Sequence, residues 1–164
     1  MQEYSSKNTC QNFGKRNAAY KYLPPWTKFV FDYGCGKYDN NKIYCEDLGI
    51  EWVGYDKYWK DDNTILQYVE ENKERLDCIV CSNVLNVIND DETIYNIIEY
   101  LKSLAQKNTI LIFSCYSGNK SNIGCETKKD CWQRNEKPNI WKKRLSEYFE
   151  VMYVISDIFV CKLK

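Results

Sequence analysis

Lys28-Phe-Val-Phe-Asp-Tyr-Gly-Cys-Gly-Lys37, followed by Trp52-Val-Gly-Tyr-Asp56, is the stretch that decides the fold of this chain. An apolar strand runs into Asp32-x-Gly34-x-Gly36. Two residues without a Cβ there let the backbone turn sharply and approach a ligand closely. A second strand ends on the carboxylate of Asp56, about twenty residues on, a spacing at which an acid reaches the two hydroxyls of a ribose. Alone, Asp56 reads as a turn cap. Beside the glycine turn, it reads as a ligand for an adenosine-containing cofactor.

The glycine pattern narrows the cofactor. A dinucleotide pyrophosphate asks for Gly-x-Gly-x-x-Gly. Here Gly36 is followed by Lys37, Tyr38 and Asp39, so the cradle lacks its third glycine and an acid stands near the coming helix start. In these residues the chain resembles the class I S-adenosylmethionine-dependent methyltransferases, whose first motif is Asp/Glu-x-Gly-x-Gly-x-Gly. It departs from that motif at Tyr38, which stands where the third glycine is usual. Ser82-Asn-Val-Leu-Asn-Val-Ile88, after an apolar strand, resembles the fourth motif of that superfamily. A looser likeness, through Val84–Ile88 and Thr127-Lys-Lys-Asp-Cys-Trp-Gln133, is to compact bacterial and phage methyltransferase-like proteins.

The resemblance implies an α/β fold, a Rossmann-like open and mostly parallel sheet ending in an antiparallel hairpin. It implies cofactor contacts from Asp32, Gly34, Cys35, Gly36, Asp56, Lys57, Ser82, Asn83 and Val84. Asn83 and Tyr116 are the candidate catalytic groups; Arg16, Thr127, Lys128, Trp132 and Gln133 are the candidate substrate contacts. Sequences typical of amino methylation in nucleic acids (Asp/Asn-Pro-Pro-Tyr/Phe) and of cytosine ring methylation (Pro-Cys) are absent.

Element order agrees with that fold. Expected strands cover 28–33, 51–55, 77–82, 109–115, 150–155 and 158–163, and expected helices cover 8–22, 39–48, 64–76, a segment capped at Asp90-Asp-Glu92, and 139–149 capped by Asn139. About twenty residues separate Asp56 from the next strand, and a helix fills them, so the third edge strand is expected to be missing or vestigial. Residues 1–164 are expected to form one domain, with 1–27 as a helical cap and 116–138 as a substrate lid. A connection longer than about fifteen residues is usually functional or disordered. This one mixes Tyr116 and Trp132 with Lys128, Lys129 and Arg134, as nucleotide binding requires.

Composition sets further bounds. The chain has 23 basic and 23 acidic residues and no histidine, so any proton transfer falls to a carboxylate, Tyr, Lys, Cys or water. Nine cysteines, an odd number, several inside apolar strands, read as reduced thiols. Cys78-x-x-Cys81 has metal-like spacing, with Cys125 and Cys131 as completing ligands, but residues three apart on a strand face opposite ways. No metal is expected. No apolar run reaches the ~20 residues of a membrane span and no signal peptide order is present, from which a cytoplasmic protein is expected.

Charge is uneven. Residues 56–99 hold eleven acids against four bases, and 120–144 hold eight bases against three acids. The basic ends suggest a phosphate-bearing methyl acceptor, a nucleotide or nucleic acid. The competing reading is a module that binds S-adenosylmethionine or S-adenosylhomocysteine without methyl transfer. The sequence leaves the oligomeric state open.

Overall fold

The computed structural model describes residues 3–9 and 14–164. Its core is a six-stranded sheet built from β1 (Phe29–Tyr33), β2 (Glu51–Tyr55), β3 (Cys78–Ser82), β4 (Ile110–Ser114), β7 (Phe149–Ile155) and β8 (Ile158–Leu163). The order across the sheet is β2-β1-β3-β4-β8-β7. The first four strands are parallel; β8 runs antiparallel to β4 and to β7. The third edge strand, expected to be missing or vestigial, does not form among the described residues. Between Tyr55 and Cys78 the chain forms α2 (Asn63–Glu71) and a 3-10 turn at Lys73–Arg75, leaving β2 as the sheet edge.

Strand alternation sorts the core into two layers. Phe29, Phe31, Ile79, Cys81, Leu111 and Phe113 point to one face. There they meet Val69 of α2, Ile94, Ile98, Leu101 and Leu104 of α3 (Asp91–Leu104), and Trp141 and Leu145 of α4 (Pro138–Tyr148). Val30, Cys78, Val80, Ile110 and Ile112 point to the other face, against Cys45 of α1 (Asn40–Asp47) and Ala19 and Tyr20. Cys78 and Cys81 therefore lie on opposite sides of the sheet, as a period of two dictates. Ile98 is fully buried in the thicker layer. Ile98→Ala is expected to cost about 2–5 kcal/mol, the range for truncating a packed aliphatic side chain, readable in urea unfolding.

Two local expectations are corrected. Of the helix expected over 8–22, residues 10–13 lie outside the described residues; within the rest only a 3-10 helix, Ala18–Tyr22, forms. Gly14 has φ +74°, a conformation no right-handed helix contains, and Asn17 is extended and caps Ala19 N with its own side chain. The last helix begins at Pro138 with Lys137 as its cap residue, so Asn139 sits within the first turn; the fixed φ of proline suits the first helical position. The stretch 116–138 contains a hairpin, β5 (Cys125–Lys128) paired with β6 (Cys131–Gln133), which turns at Asp130 with φ +62°.

Candidate cofactor and substrate site

The carboxyl ends of β1, β2 and β3 surround a cavity of about 300 Å³. A ligand crevice is expected at this edge of an open α/β sheet. The turn after β1 is fixed by the end of β2: Gly34 and Cys35 donate their N–H groups to Tyr55 O at 2.7 and 3.1 Å. Gly36 N–H donates to Asp56 Oδ2 at 2.9 Å. Gly34 and Gly36 have φ +77° and +73°, so the two glycines take a left-handed backbone that side chains resist.

Asp56 does two things at once. Its Oδ1 accepts from Tyr58 N and Trp59 N at 2.9 and 3.2 Å, closing the turn that follows β2. Its Oδ2 accepts only the Gly36 N–H among the described residues, which leaves lone-pair capacity on the cavity wall. Lys60 secures the same corner through Gly36 O at 3.0 Å and Asp39 at 3.3 Å.

Gly34, Cys35, Gly36, Asp56, Lys57, Ser82, Asn83 and Val84 all line the cavity. Asp32 does not. It is buried beneath the turn, where its Oδ2 accepts Tyr20 OH at 2.5 Å and Asn41 Nδ2 at 3.0 Å. Trp52 Nε1 donates to the same Tyr20 oxygen at 2.8 Å. Burial dominates over these donors and lifts the Asp32 carboxyl to about 6. Asp32 thus ties β1 to α1, β2 and the Ala18–Tyr22 helix, and positions the glycine turn from below.

Burial also pushes the Cys35 thiol far above its ordinary range, making it a neutral wall group rather than a nucleophile. Ser82 holds its Oγ buried with no hydrogen-bond partner among the described residues. Asn83 sits at the end of β3 with φ +57°, its N–H on Ser114 O at 2.7 Å and its Oδ1 accepting Tyr116 N at 3.2 Å. A left-handed non-glycine residue on a cavity wall is a strained position of the kind functional sites hold.

The 116–138 residues stand off the cavity wall. Tyr116 is 57% exposed and reaches Asn83 through its backbone, not its phenol. Gln133 is buried, donating to Tyr116 O at 2.7 Å and accepting Asn86 Nδ2 at 3.1 Å, so it fastens the hairpin to the segment after β3. Trp132 stacks on Tyr4 at 5.1 Å; Thr127 donates to Cys131 O; Lys128 is exposed. Arg16 lies over the Tyr44 ring at 4.8 Å. Arg134 is turned inward, on Asp91, Glu136 and Ile88 O at 2.5, 3.2 and 2.9 Å, where two carboxylates shared with Arg144 neutralise it.

The hairpin nevertheless reaches the site through the N-terminal segment. Ser6 N donates to Asp130 O, Trp132 N donates to Ser6 Oγ, and Ser6 Oγ donates to Val87 O; Ser5 N and Oγ both bond the Asp130 carboxylate. Ser5, Ser6, Lys7 and Thr9 consequently form one side of the cavity. Sequence reasoning passed over these, and over Lys15, Asn17, Tyr33, Tyr58, Trp59 and Ile97, which line it too. The signal within reach was Lys57-Tyr-Trp-Lys60, aromatic and basic residues directly after the acid.

No family model and no curated protein matches this sequence. Solved structures do. The chain is similar to the PH0226 protein of Pyrococcus horikoshii OT3, at 12% identity and TM-score 0.61, over 88% of this chain and 85% of that one. It is similar to an S-adenosylmethionine-dependent methyltransferase from Clostridium acetobutylicum ATCC 824, at 12% identity and TM-score 0.52, over 83% and 84%. A third likeness is to the glycopeptide N-methyltransferase MtfA complexed with S-adenosyl-L-methionine, at 10% identity and TM-score 0.55, over 94% and 96%. The shared feature is the fold: a mostly parallel Rossmann-like sheet with an antiparallel pair at its C-terminal end.

Proposed function

We propose that this chain binds S-adenosylmethionine at the carboxyl ends of β1, β2 and β3 and transfers its methyl group to an acceptor at the cavity mouth, a phosphate-bearing molecule in our reading. The observation that carries this is the meeting of Asp56 with the Gly34–Gly36 turn, at 2.9 Å, in one cavity. The residues present fit the cofactor. Asp56 Oδ2 has capacity for ribose hydroxyls, Tyr33 and Ile97 offer apolar surface, and the partnerless Ser82 Oγ gains a partner from a polar ligand.

The cofactor supplies a methyl group on a sulfonium, open to displacement by a lone pair. This reaction needs alignment more than proton transfer, so a chain without histidine can support it. Asn83 supplies an amide at the strand end, held in place through its Oδ1 by Tyr116 N, with its Nδ2 making no hydrogen bond among the described residues. We assign it the role of orienting the acceptor. The backbone of Tyr116, fastened by Gln133, holds Asn83.

Asp56→Ala tests the reading. Loss of hydrogen bonds to a charged acceptor is expected to weaken S-adenosylmethionine by about 1.5–3 kcal/mol in calorimetry. Asp56→Asn keeps an acceptor for Tyr58 N and Trp59 N, and so separates cofactor loss from loss of the turn. Unchanged affinity in a folded Asp56→Ala protein removes the pocket assignment. Binding without S-adenosylhomocysteine release, across nucleotide and oligonucleotide acceptors, favours a binding module instead.

A further inference from the structure

Residues 3–9 form neither helix nor strand, and among the described residues none of them joins either layer of the hydrophobic core. They nevertheless run from one side of the cavity to the other. On the β3 side, Glu3 N donates to Asn89 Oδ1 at 3.2 Å and Ser6 Oγ donates to Val87 O at 2.9 Å. On the β2 side, Lys7 Nζ lies 4.8 Å from the centre of the ring of Trp59, a residue of the turn that Asp56 closes. Ser5, Ser6, Lys7 and Thr9 line the cavity along this span.

Ser6 is where the span is fastened. It is buried, with φ +52°, and its hydroxyl works twice, donating to Val87 O and accepting Trp132 N at 3.2 Å. Its own N–H goes to Asp130 O at 2.9 Å, and Ser5 bonds the Asp130 carboxylate through both N and Oγ. Asp130 does not line the cavity. It holds the span from outside, at the turn of the β5–β6 hairpin. A segment tied by polar contacts to the surface of a finished core opens without disturbing that core.

We propose that residues 3–9 are a strap that opens for S-adenosylmethionine to enter and S-adenosylhomocysteine to leave, with Ser6 as its latch and Asp130 as its tether. The inference rests on the S-adenosylmethionine reading and adds the step that controls exchange at that site. Its signature is kinetic. The bonds of Ser5, Ser6 and Asp130 are made within the protein, so weakening them raises the open fraction alike in the free and the loaded state while the strap stays mostly closed. Arrival and departure then quicken by one factor, and the affinity, which is their ratio, is kept.

The experiment uses the whole chain and follows S-adenosylmethionine by stopped-flow tryptophan fluorescence, Trp59 being part of the cavity wall, with departure read in an S-adenosylhomocysteine chase. Ser6→Ala is expected to raise both rates roughly 5- to 150-fold, as the loss of two hydrogen bonds gives. Asp130→Gly removes the carboxylate and keeps the left-handed turn, which glycine accepts. It is expected to raise both rates roughly 5-fold, since exposed bonds lie at the low end of the range. The dissociation constant is expected to stay the same in both variants.

Faster departure with unchanged arrival marks a fixed wall that touches the cofactor and overturns the proposal, as does a pair of variants in which neither rate moves. Hydrogen exchange of the ligand-free proteins, read by mass spectrometry, gives a second measurement. In Asp130→Gly, faster exchange at residues 3–9 and at Trp132, with β3 and β4 unchanged, supports the strap. Exchange quickened across the whole sheet, or unchanged at residues 3–9, overturns it. If the unmutated protein binds no S-adenosylmethionine, the proposed function falls, and exchange alone decides whether the strap opens.

Discussion

Gly34→Ala is expected to lower stability and to abolish detectable S-adenosylmethionine binding together. A Cβ built at Gly34 would lie 2.1 Å from Val84 Cγ2, and the residue's φ is +77°. The left-handed backbone costs a non-glycine residue about 1–2 kcal/mol. Overpacking adds about 1–3 kcal/mol, because Val84 is β-branched and has little rotamer freedom with which to yield. Thermal unfolding should therefore shift downward by several degrees, at about 2–4 °C per kcal/mol for a chain of this size. Adding Val84→Ala removes the clashing methyl and should recover part of the shift, leaving only the backbone term. A Gly34→Ala protein with unchanged melting and unchanged affinity would show that the close approach of β1 and β3 ends is not what shapes the turn.

The second large effect is a pH dependence located at Asp32. Its folded-state value is raised from the ordinary 3.8 to about 6, chiefly by burial, although Tyr20, Asn41 and Trp52 oppose the rise. Because the folded state holds this proton more tightly than the unfolded chain, the folded protein binds more protons between about pH 4 and pH 6. Stability contributed here is present below pH 4, is lost as pH rises through 6, and is constant above. A rise from 3.8 to about 6 corresponds to about 3 kcal/mol. Asp32→Asn cannot ionise. Its stability relative to the unmutated protein should climb by about that amount from pH 4 to pH 7 in urea unfolding. A difference that stays flat across this range would mean that Asp32 ionises as it does in water, and the buried linkage to Tyr20 would be wrong.

The two predictions show how differently the parts of one motif depend on context. Asp32, Gly34 and Gly36 stand together in sequence, and the glycines do line the cavity as expected. Asp32 points the other way because alternation along β1 sends it, like Val30, to the face covered by α1 and the Ala18–Tyr22 helix. The basic residues of 116–138 stand away from the cavity lining for a related reason. A local excess of charge does not reveal that Asp91, some forty residues away, will stand against Arg134.

What the sequence by itself determined was everything carried by short-range regularity. The strand–glycine turn–helix unit, the acid at the end of β2, the lack of room for a third edge strand and the C-terminal hairpin all follow from periods of two and 3.6 and from the position of glycine, proline and capping residues. What only the tertiary structure decided was which polar side chains meet. Asp130 draws the N-terminal segment onto the hairpin, and that places Lys7 beside Lys37 on the Trp59 ring, though the three come from segments far apart in the chain. Charges and rings act through distances of a few ångströms, set by packing the sheet against its helices, and no periodicity along the chain encodes those distances.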